Sequence, residues 1–433
     1  MGFEIISDDK ELSEEIINAE EEVKDTLNED TPDENGEKDN IPTPIVNDEL
    51  TKVVSSEDIE NKEEKVLTSE YAKNIDRTYE DDSKKLQDDL NNFLKSSQLG
   101  GELSTELTKF TVPTGIDLLD TISGGGLGTK FVQLVGNPGC GKSALAAKVI
   151  ATTQRKYPGK FLCTYLDTED SMTSDRLAQL GVTYPRIVPR SSLNLEDVFQ
   201  IIKGFCNYKE KNGVDTPSII VWDSLANTIP AAVESGADDS IAQRARIFSK
   251  HLPQYVKMMN KYGVLVLTIN QMRTNIQTHP YAGSTQSLKY LNNSEAIPGG
   301  MAVEHNSFQL YKIKQKKDLE SETYGFRGFL CVIKAVKNKL FAPNIEVTLA
   351  FDYNRGFSNF WTNYFLLDEM KYITGKAWKS LINFDKNFRI GNAPKMYKEN
   401  PEFKKCFDSH VKSALKQIVD KYETKEMSDD ELW

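Results

Sequence analysis

One segment of the 433-residue chain has the residue types and the spacing that bind phosphate. The sequence GNPGCGKS, residues 136–143, satisfies the pattern G-x-x-x-x-G-K-[ST], follows an apolar run and precedes an alanine-rich helical pattern. Glycines let the backbone turn its N–H groups toward an anion, and the following helix N-terminus adds a favourable dipole. The pattern predicts that Lys142 contacts the β- and γ-phosphates of ATP and that the Ser143 hydroxyl binds Mg²⁺. A glycine-rich turn without a ligand is the alternative.

The predicted nucleotide-binding residues of this loop are consecutive: Gly136, Asn137, Pro138, Gly139, Cys140, Gly141, Lys142, Ser143 and Ala144. A second apolar run, SIIVWDS, residues 218–224, ends in the acid Asp223. Buried strands that end in Asp are common, but together with the phosphate loop this pattern predicts that Asp223 holds Mg²⁺ through water.

Two further strand ends have polar residues suited to hydrolysis. The run FLCTYLDTEDSM ends with Asp167, Glu169 and Asp170, and the run VLTINQMR ends with Asn270 and Gln271. Ligands of open α/β sheets bind at the carboxyl ends of the strands. One of the three carboxylates is therefore expected to polarise the attacking water, and an amide at the other strand end is expected to sense a γ-phosphate. A solvated acidic turn is the alternative reading of the first segment.

These residues require elements that bring several strand ends together. From residue 110 onward, strand-like runs alternate with helical stretches, which predicts an α/β fold with a mostly parallel central sheet flanked by helices. We expect this core to span residues 111–350. The sequence IEVTLAFD and the helical segment PEFKKCFDSHVKSALKQIVDKY near the end indicate a small α+β appendage, residues 351–421.

The two ends of the chain are acidic. Residues 1–75 are rich in Asp and Glu and poor in aromatic residues, so we expect them to be mostly disordered. Residues 76–110 form a predicted helical segment, which either docks on another protomer or lies on its own domain. Its apolar face comprises Leu86, Leu90, Phe93 and Leu94. The acidic tail, residues 422–433, is either a solvated terminus or a competitor of DNA for basic surface.

Charge and cysteine usage restrict the class of protein. The first hundred residues have 30 acidic and 11 basic side chains, so the whole-chain net charge of −12 hides a basic middle part, as is typical of nucleic-acid-binding proteins. The five cysteines form no C-x-x-C pair, which argues against a zinc site or a disulfide framework and fits a reducing compartment. No apolar run is long enough to span a membrane, so we expect a cytoplasmic protein without a membrane partner.

Several motifs in order resemble the RecA family of homologous recombinases, most of all those of bacteria and of large bacteriophages (the UvsX type). They are VPTGIDLLDTISGGGLGTKFVQLVGNPGCGKS, YLDTED, IIVWDS, LTINQMR and AVKNKLFAP, and the resemblance covers about residues 104–415. It implies a RecA-like P-loop ATPase core. It also implies that the protein acts in the bacterial cytoplasm. The gene that encodes it belongs either to a bacterium or to a bacteriophage.

The resemblance implies roles for individual residues. Glu169 corresponds to the catalytic carboxylate, and Gln271 to the residue that links the γ-phosphate to a DNA-binding loop; Lys142 completes the catalytic set. Lys337 and Lys339 match the Lys-x-Lys segment that reaches the ATP of a neighbouring subunit. Without the resemblance, two lysines at a strand end indicate solvated surface.

Two segments correspond to DNA-binding loops. The first, residues 233–246, includes Gly236, Arg244 and Arg246; the second spans residues 272–300. The predicted DNA contacts of the second loop are Met272, Arg273, Lys289, Gly299 and Gly300, with Tyr281 and Tyr290 as stacking faces. A mobile surface loop without a ligand is the alternative for the second segment.

The sequence also departs from the family. The second loop is longer than in most bacterial members. Arg176 occupies the position at which bacterial members have an adenine-stacking Tyr, although a guanidinium can also stack on a purine. The acidic extension has no recognised counterpart.

The resemblance therefore implies a DNA-dependent ATPase that polymerises as a helical filament on single-stranded DNA and exchanges strands with a homologous duplex. The implied partners are single- and double-stranded DNA, further copies of the chain, and a mediator or single-strand-binding protein. Two alternatives remain: a hexameric helicase or translocase with the same core, and a recombinase accessory protein that binds nucleotide without hydrolysing it.

Overall fold

The computed structural model describes residues 84–86, 88–90, 106–183, 187–189, 193–236, 241–274, 295–296 and 298–423. The chain divides into two compact units, Met1–Glu102 and Leu103–Trp433. In the first unit, residues 84–86 and 88–90 are helical, and Leu86 and Leu90 are exposed. The predicted disordered extension, residues 1–75, lies outside the described residues, as do Phe93, Leu94 and the acidic tail from residue 424 onward.

The second unit contains the strands and helices of the fold. The strands are β1 (Thr111–Val112), β2 (Leu127–Gly128), β3 (Phe131–Gly136), β4 (Leu162–Asp167), β5 (Ile187–Pro189), β6 (Ser218–Asp223), β7 (Val264–Gln271), β8 (Arg273–Thr274), β9 (Glu295–Ala296), β10 (Gln309–Leu319), β11 (Gly328–Asn338), β12 (Ile345–Asp352), β13 (Gly356–Ser358), β14 (Ile373–Thr374) and β15 (Ser380–Leu381). The helices are α1 (Asp117–Ile122), α2 (Lys142–Lys156), α3 (Ser174–Gln179), α4 (Leu195–Lys211), α5 (Ala231–Glu234), α6 (Ile241–Tyr262), α7 (Gly300–Asn306), α8 (Ser321–Tyr324), α9 (Asn359–Glu369), α10 (Ala393–Glu399) and α11 (Pro401–Tyr422).

Nine strands form one sheet in the order β13-β12-β11-β10-β3-β7-β6-β4-β5. From β5 to β10 all neighbouring strands are parallel, and from β10 to β13 they are antiparallel. The mostly parallel sheet flanked by helices confirms the predicted fold class. The carboxyl ends of β3, β4, β6 and β7 consequently meet at one edge, where Gly136 pairs with Gln271 and Asp167 pairs with Asp223.

Both faces of the central strands are buried, as a parallel sheet covered by helices requires. On β6, Ile219 and Val221 belong to one hydrophobic cluster, whereas Ile220 and Trp222 belong to the other. The second cluster packs the sheet against α4 and α6. Because alternate residues of one strand point to opposite faces, this packing fixes the register of the polar residue that ends each strand.

Local sequence explains where the flanking helices begin. Asn194 and Asp197 form a reciprocal capping box at the start of α4, and Asn400 caps α11, whose first residue is Pro401. Arg155 and Lys156 lie in the last turn of α2, where positive charge stabilises a helix.

The region beyond residue 350 continues the main unit. Strand β13 pairs with β12 inside the large sheet, and α9, α10 and α11 pack beside it with a two-stranded sheet of β14 and β15. The domain boundary at residue 350 stays a prediction, with one strand of the sheet lying beyond it. Among the described residues, no helix combines the length and apolarity that a membrane span requires.

Candidate nucleotide-binding and catalytic site

The phosphate loop joins β3 to α2 and depends on its glycines. Gly139 and Gly141 have φ angles of +76° and +92°, which residues other than glycine rarely adopt. A Cβ on Gly136 would lie 2.3 Å from the carbonyl oxygen of Ile313 on the neighbouring strand. Asn137, Pro138 and Gly139 are exposed, so the loop presents its backbone to solvent at the N-terminus of a 15-residue helix. This arrangement suits an anion.

Lys142 lies inside the loop with 6% of its surface exposed. Its Nζ donates hydrogen bonds to the carbonyl oxygens of Gly136 at 2.9 Å and Asn137 at 2.7 Å. Because an ammonium group is a compact donor with several N–H bonds, it can exchange these carbonyls for phosphate oxygens. The buried Cys140 thiol lies nearby, and burial raises its pKa, so this thiol stays protonated.

Asp223 and Ser143 form the predicted Mg²⁺ site. Ser143 Oγ donates to Asp223 Oδ2 at 2.7 Å, and the buried Tyr165 hydroxyl donates to the same oxygen at 2.5 Å. Asp223 is 2% exposed, and burial raises its pKa, with the charges of Glu169 and Asp167 adding to the effect.

These groups fit a hard cation, because both are oxygen donors and a buried carboxylate ionises more readily beside positive charge. Within the described ranges no cluster of three or more His, Cys, Asp or Glu residues could hold a metal ion. Protein side chains would therefore supply only some of the ligands of Mg²⁺ here. Phosphate oxygens and water would supply the others, as is usual for Mg²⁺.

The structure separates the roles of the three acids after β4. Asp167 accepts hydrogen bonds from the backbone N–H groups of Glu169 at 3.1 Å and Met172 at 2.8 Å, so it holds the turn. Asp170 is exposed and has a φ angle of +50°. Glu169 instead faces the neighbouring strand ends: its Oε1 accepts from Ser224 Oγ at 2.5 Å and from Gln271 Nε2 at 2.6 Å.

The turn after β4 is fastened to the end of β6. Thr168 N–H donates to the carbonyl oxygen of Asp223 at 2.7 Å, and Ser224 N–H donates to Thr168 Oγ1 at 2.9 Å. The peptide bond between Asp223 and Ser224 is cis. The two hydrogen bonds hold Glu169 and Asp223 at adjacent strand ends, one beside Gln271 and the other beside Ser143.

Arg176 lies at the start of α3, where Thr173 Oγ1 accepts its backbone N–H at 3.1 Å. Its guanidinium donates to the carbonyl oxygens of Tyr353 at 2.9 Å and Asn354 at 3.4 Å. Those bonds place the guanidinium against the turn between β12 and β13, in which Tyr353 is 47% exposed.

Lys337 lies near the end of β11 and contacts α7. Its Nζ donates to the carbonyl oxygens of Glu304 at 3.0 Å and His305 at 2.8 Å, in the last turn of that helix. Burial lowers the pKa of Lys337, and the charge of Lys339 lowers it further. Lys339 follows the strand and is exposed.

The predicted DNA-binding residues lie at the edges of the described ranges. Gly236 has a φ angle of +100°, Arg244 NH1 donates to the carbonyl oxygen of Ala226 at 3.1 Å, and Arg246 is exposed on α6. Met272 N–H contacts the carbonyl oxygen of Gly136 at 3.4 Å, so the second loop begins against the phosphate loop.

That second loop ends at two glycines with positive φ angles. Gly299 and Gly300 have φ angles of +96° and +64° and begin α7. Arg273 begins the short strand β8. Lys289, Tyr281 and Tyr290 lie outside the described residues.

Comparison with known proteins identifies the family. The RecA N-terminal domain family matches residues 86–358. The chain belongs to the RecA family. Three RecA-family relatives, each named Protein RecA, align with it. The relative from Synechocystis sp. is 27% identical over 319 residues, which is 73% of this chain and 84% of the relative. Those from Arthrospira platensis and Prochlorococcus marinus are 27% and 26% identical over 315 and 334 residues, covering 70% and 75% of this chain and 79% and 81% of each relative.

Four residues of the candidate site were missed from the sequence. They are Tyr165, Thr168, Ser224 and Tyr353. Ser224 directly follows Asp223, and Thr168 lies between two predicted acids. The position of each beside a predicted strand end could therefore have identified it as a residue of the site. Tyr165 looks like an ordinary apolar residue of a buried strand, and Tyr353 approaches Arg176 only through the fold of the β12–β13 turn.

Proposed function

We propose that this RecA-family protein is a DNA-dependent ATPase that forms helical filaments on single-stranded DNA in the bacterial cytoplasm and exchanges strands with a homologous duplex. Membership of the family supports a general role in recombination and DNA repair. The observation that supports the finer proposal best is the 2.6 Å contact between Gln271 Nε2 and Glu169 Oε1. It joins the proposed hydrolytic carboxylate to the strand that leads directly into the second proposed DNA loop.

The chemistry follows from the positions of the side chains. Lys142 and the N–H groups of the phosphate loop would bind the phosphates of ATP, and Ser143 and Asp223 would hold Mg²⁺, which would neutralise phosphate charge. Glu169 accepts a proton from the attacking water or orients that water by hydrogen bonding. Gln271 has two N–H donors, so its amide can exchange the carboxylate for a γ-phosphate oxygen and shift the start of the second loop.

Lys337 supports the filament part of the proposal. In this structure its ammonium donates to two carbonyl oxygens at the end of α7. A phosphate from a neighbouring protomer's nucleotide is a stronger acceptor than two carbonyls, because it carries negative charge and so attracts the ammonium as well as accepting its hydrogen bonds. ATP would therefore join protomers through Lys337 and Lys339, and hydrolysis would release them.

The test is ATP turnover with and without single-stranded DNA, with the same samples imaged by electron microscopy. We expect stimulation by DNA and helical filaments, both lost in Lys337→Ala, while nucleotide binding by the monomer survives. Lys416→Ala, on the exposed side of α11, is the matched control and should behave as wild type.

Three other outcomes would refute the proposal. Rings in place of helices would indicate a hexameric helicase or translocase. Absence of turnover with nucleotide binding retained would indicate an accessory protein. Stimulation that survives Lys337→Ala would refute the interface role of that lysine.

A further inference from the structure

A buried chain of polar side chains lies behind the proposed γ-phosphate sensor. Asn270, Gln133 and Ser307 are 0%, 1% and 2% exposed. Asn270 Nδ2 lies 3.3 Å from Gln133 Oε1, and Gln133 Nε2 donates to Ser307 Oγ at 2.6 Å. The chain runs from the end of β7 through β3 to the residue that follows α7. Neither of these two contacts involves a residue of the phosphate loop.

The end of β7 is held on both of its faces. Successive residues of a strand point to opposite sides of the sheet. Gln271 contacts Glu169, whereas Asn270 donates to the carbonyl oxygen of Pro298 at 3.0 Å. One strand end is thus bonded to the proposed catalytic carboxylate on one side and to the backbone just before α7 on the other.

Helix α7 depends on such polar contacts. It has seven residues, and Val303 is its buried apolar side chain. Gln133 Nε2 and Ser307 Oγ both donate to the carbonyl oxygen of Val303, at 3.3 Å and 2.7 Å. At its end, Lys337 donates to two further carbonyls. The helix also packs against α6, so these hydrogen bonds act together with that packing to fix where it lies.

Asn270 is not fully satisfied in this conformation. Its Oδ1 is buried and has no hydrogen-bond partner among the described residues. A buried unpaired acceptor is destabilising, and such atoms are rare in folded proteins. Stability of this one arrangement therefore does not explain why an asparagine occupies position 270. A hydrogen bond that Asn270 Oδ1 makes in a second arrangement of β7 and α7 explains it better.

We infer that Asn270 and Gln133 are positioning residues that fix α7 to the end of β7. A movement of Gln271 toward a γ-phosphate would then move Pro298, the start of α7 and the carbonyls that hold Lys337. The consequence of this inference rests on the proposed function: α7 would link the nucleotide to both the second DNA loop and the Lys337 contact. Neither Asn270 nor Gln133 touches the reacting atoms.

The test compares two isosteric substitutions of buried glutamines. Gln133→Met removes the contacts with Asn270, Val303 and Ser307 and keeps the side-chain volume. Gln309→Met is the matched control: Gln309 is 0% exposed, and its amide bonds the backbone of Ser123, Gly126 and Gly128 and the side chain of Asn338, none of which lies in α7. Both variants lose buried hydrogen bonds, so a general loss of stability affects them alike. Ser307→Ala, which removes one hydroxyl, is the milder variant if Gln133→Met folds poorly.

Two readouts are measured with full-length protein. The first is hydrogen exchange of residues 299–307 with and without a non-hydrolysable ATP analogue and Mg²⁺. We expect the analogue to change exchange there in wild type and Gln309→Met but not in Gln133→Met. The second is ATP turnover, for which Gln133→Met should lose about tenfold or more of its stimulation by DNA while its basal rate is retained, as expected when a coupling between sites is removed.

The outcomes separate this inference from the proposed function. If the analogue leaves exchange at residues 299–307 unchanged in wild type, or if Gln133→Met responds as Gln309→Met does, the inference is wrong. If exchange responds as expected but DNA does not stimulate wild-type turnover, the positioning role stands and the proposed function is wrong.

Discussion

Gln271 Nε2 donates to Glu169 Oε1 at 2.6 Å, and Ser224 Oγ donates to the same oxygen at 2.5 Å. Two donors on one carboxylate oxygen fix the orientation of the carboxylate. The second oxygen of Glu169 has neither contact, so it is the atom available to a water molecule. This geometry makes Glu169, and neither of its acidic neighbours, the carboxylate to test for hydrolysis.

Glu169→Gln should abolish most hydrolysis while nucleotide binding is retained. The amide keeps an oxygen that can accept from Gln271 and Ser224 but loses the basicity that water activation needs, so kcat should fall by about 100-fold or more. Phosphate release measures turnover, and a fluorescent nucleotide measures binding. Asp170→Asn changes the exposed acid next in sequence and should leave both values near wild type. Equal losses in the two variants would contradict the assignment.

Gln271→Ala should separate basal turnover from its stimulation by DNA. The substitution removes the amide that joins the carboxylate to β7, so stimulation should fall about tenfold or more while basal turnover persists. Gln417→Ala removes an exposed glutamine of α11, which bonds the Tyr372 hydroxyl, and serves as the control. A uniform fall of basal and stimulated rates would instead indicate a direct catalytic role for Gln271.

The fold was largely predictable because its strong signals are local. The strands β3, β6 and β7 are continuous apolar runs bounded by turns, and such runs have few alternatives in an α/β pattern. Strand β10 was not predicted, since lysines interrupt its apolar residues and its outer half, residues 314–318, is polar and exposed. Its place beside β3 depends on pairing between distant parts of the chain.

The sequence predicted which polar residues lie at the strand ends of the site, but the contacts that each of them makes could not be derived from it. The sequence places Asp167, Glu169 and Asp170 at one sheet edge, but their roles depend on which backbone N–H groups need an acceptor. The structure shows Asp167 bonded to two such groups, which leaves Glu169 facing Gln271. The partner of Lys337 in α7 likewise follows only from the packing of β11 against the end of that helix.

Tyr165→Phe should destabilise the protein more than the same change at Tyr397. Each hydroxyl donates to an aspartate, Tyr165 to Asp223 at 2.5 Å and Tyr397 to Asp408 at 2.7 Å, but only Tyr165 is fully buried. Removing a donor from a buried carboxylate should lower the free energy of unfolding by about 2 kcal/mol, and removing the partly buried Tyr397 hydroxyl should lower it by about 0.5–1 kcal/mol. Urea unfolding measures both. Equal losses would show that burial of the Tyr165–Asp223 pair has no energetic consequence.

Asp223→Asn should gain stability relative to wild type as the pH rises, in the absence of nucleotide and Mg²⁺. Burial raises the pKa of Asp223 above its ordinary 3.8, so the folded chain binds a proton more readily than the unfolded chain does. The contribution of Asp223 to the free energy of unfolding therefore falls as the pH rises from 3.8 through the raised pKa. Asparagine does not ionise and escapes this loss.

Urea unfolding at acid and neutral pH measures this difference, with Asp170→Asn as the exposed control. The advantage of Asp223→Asn over wild type should be larger at neutral pH, whereas Asp170→Asn should show no such trend. Saturating Mg²⁺ and nucleotide should then favour wild type, because a ligand that binds the folded state stabilises it more the more tightly it binds. An advantage that is independent of pH would mean that the buried carboxylate is not the source of the effect.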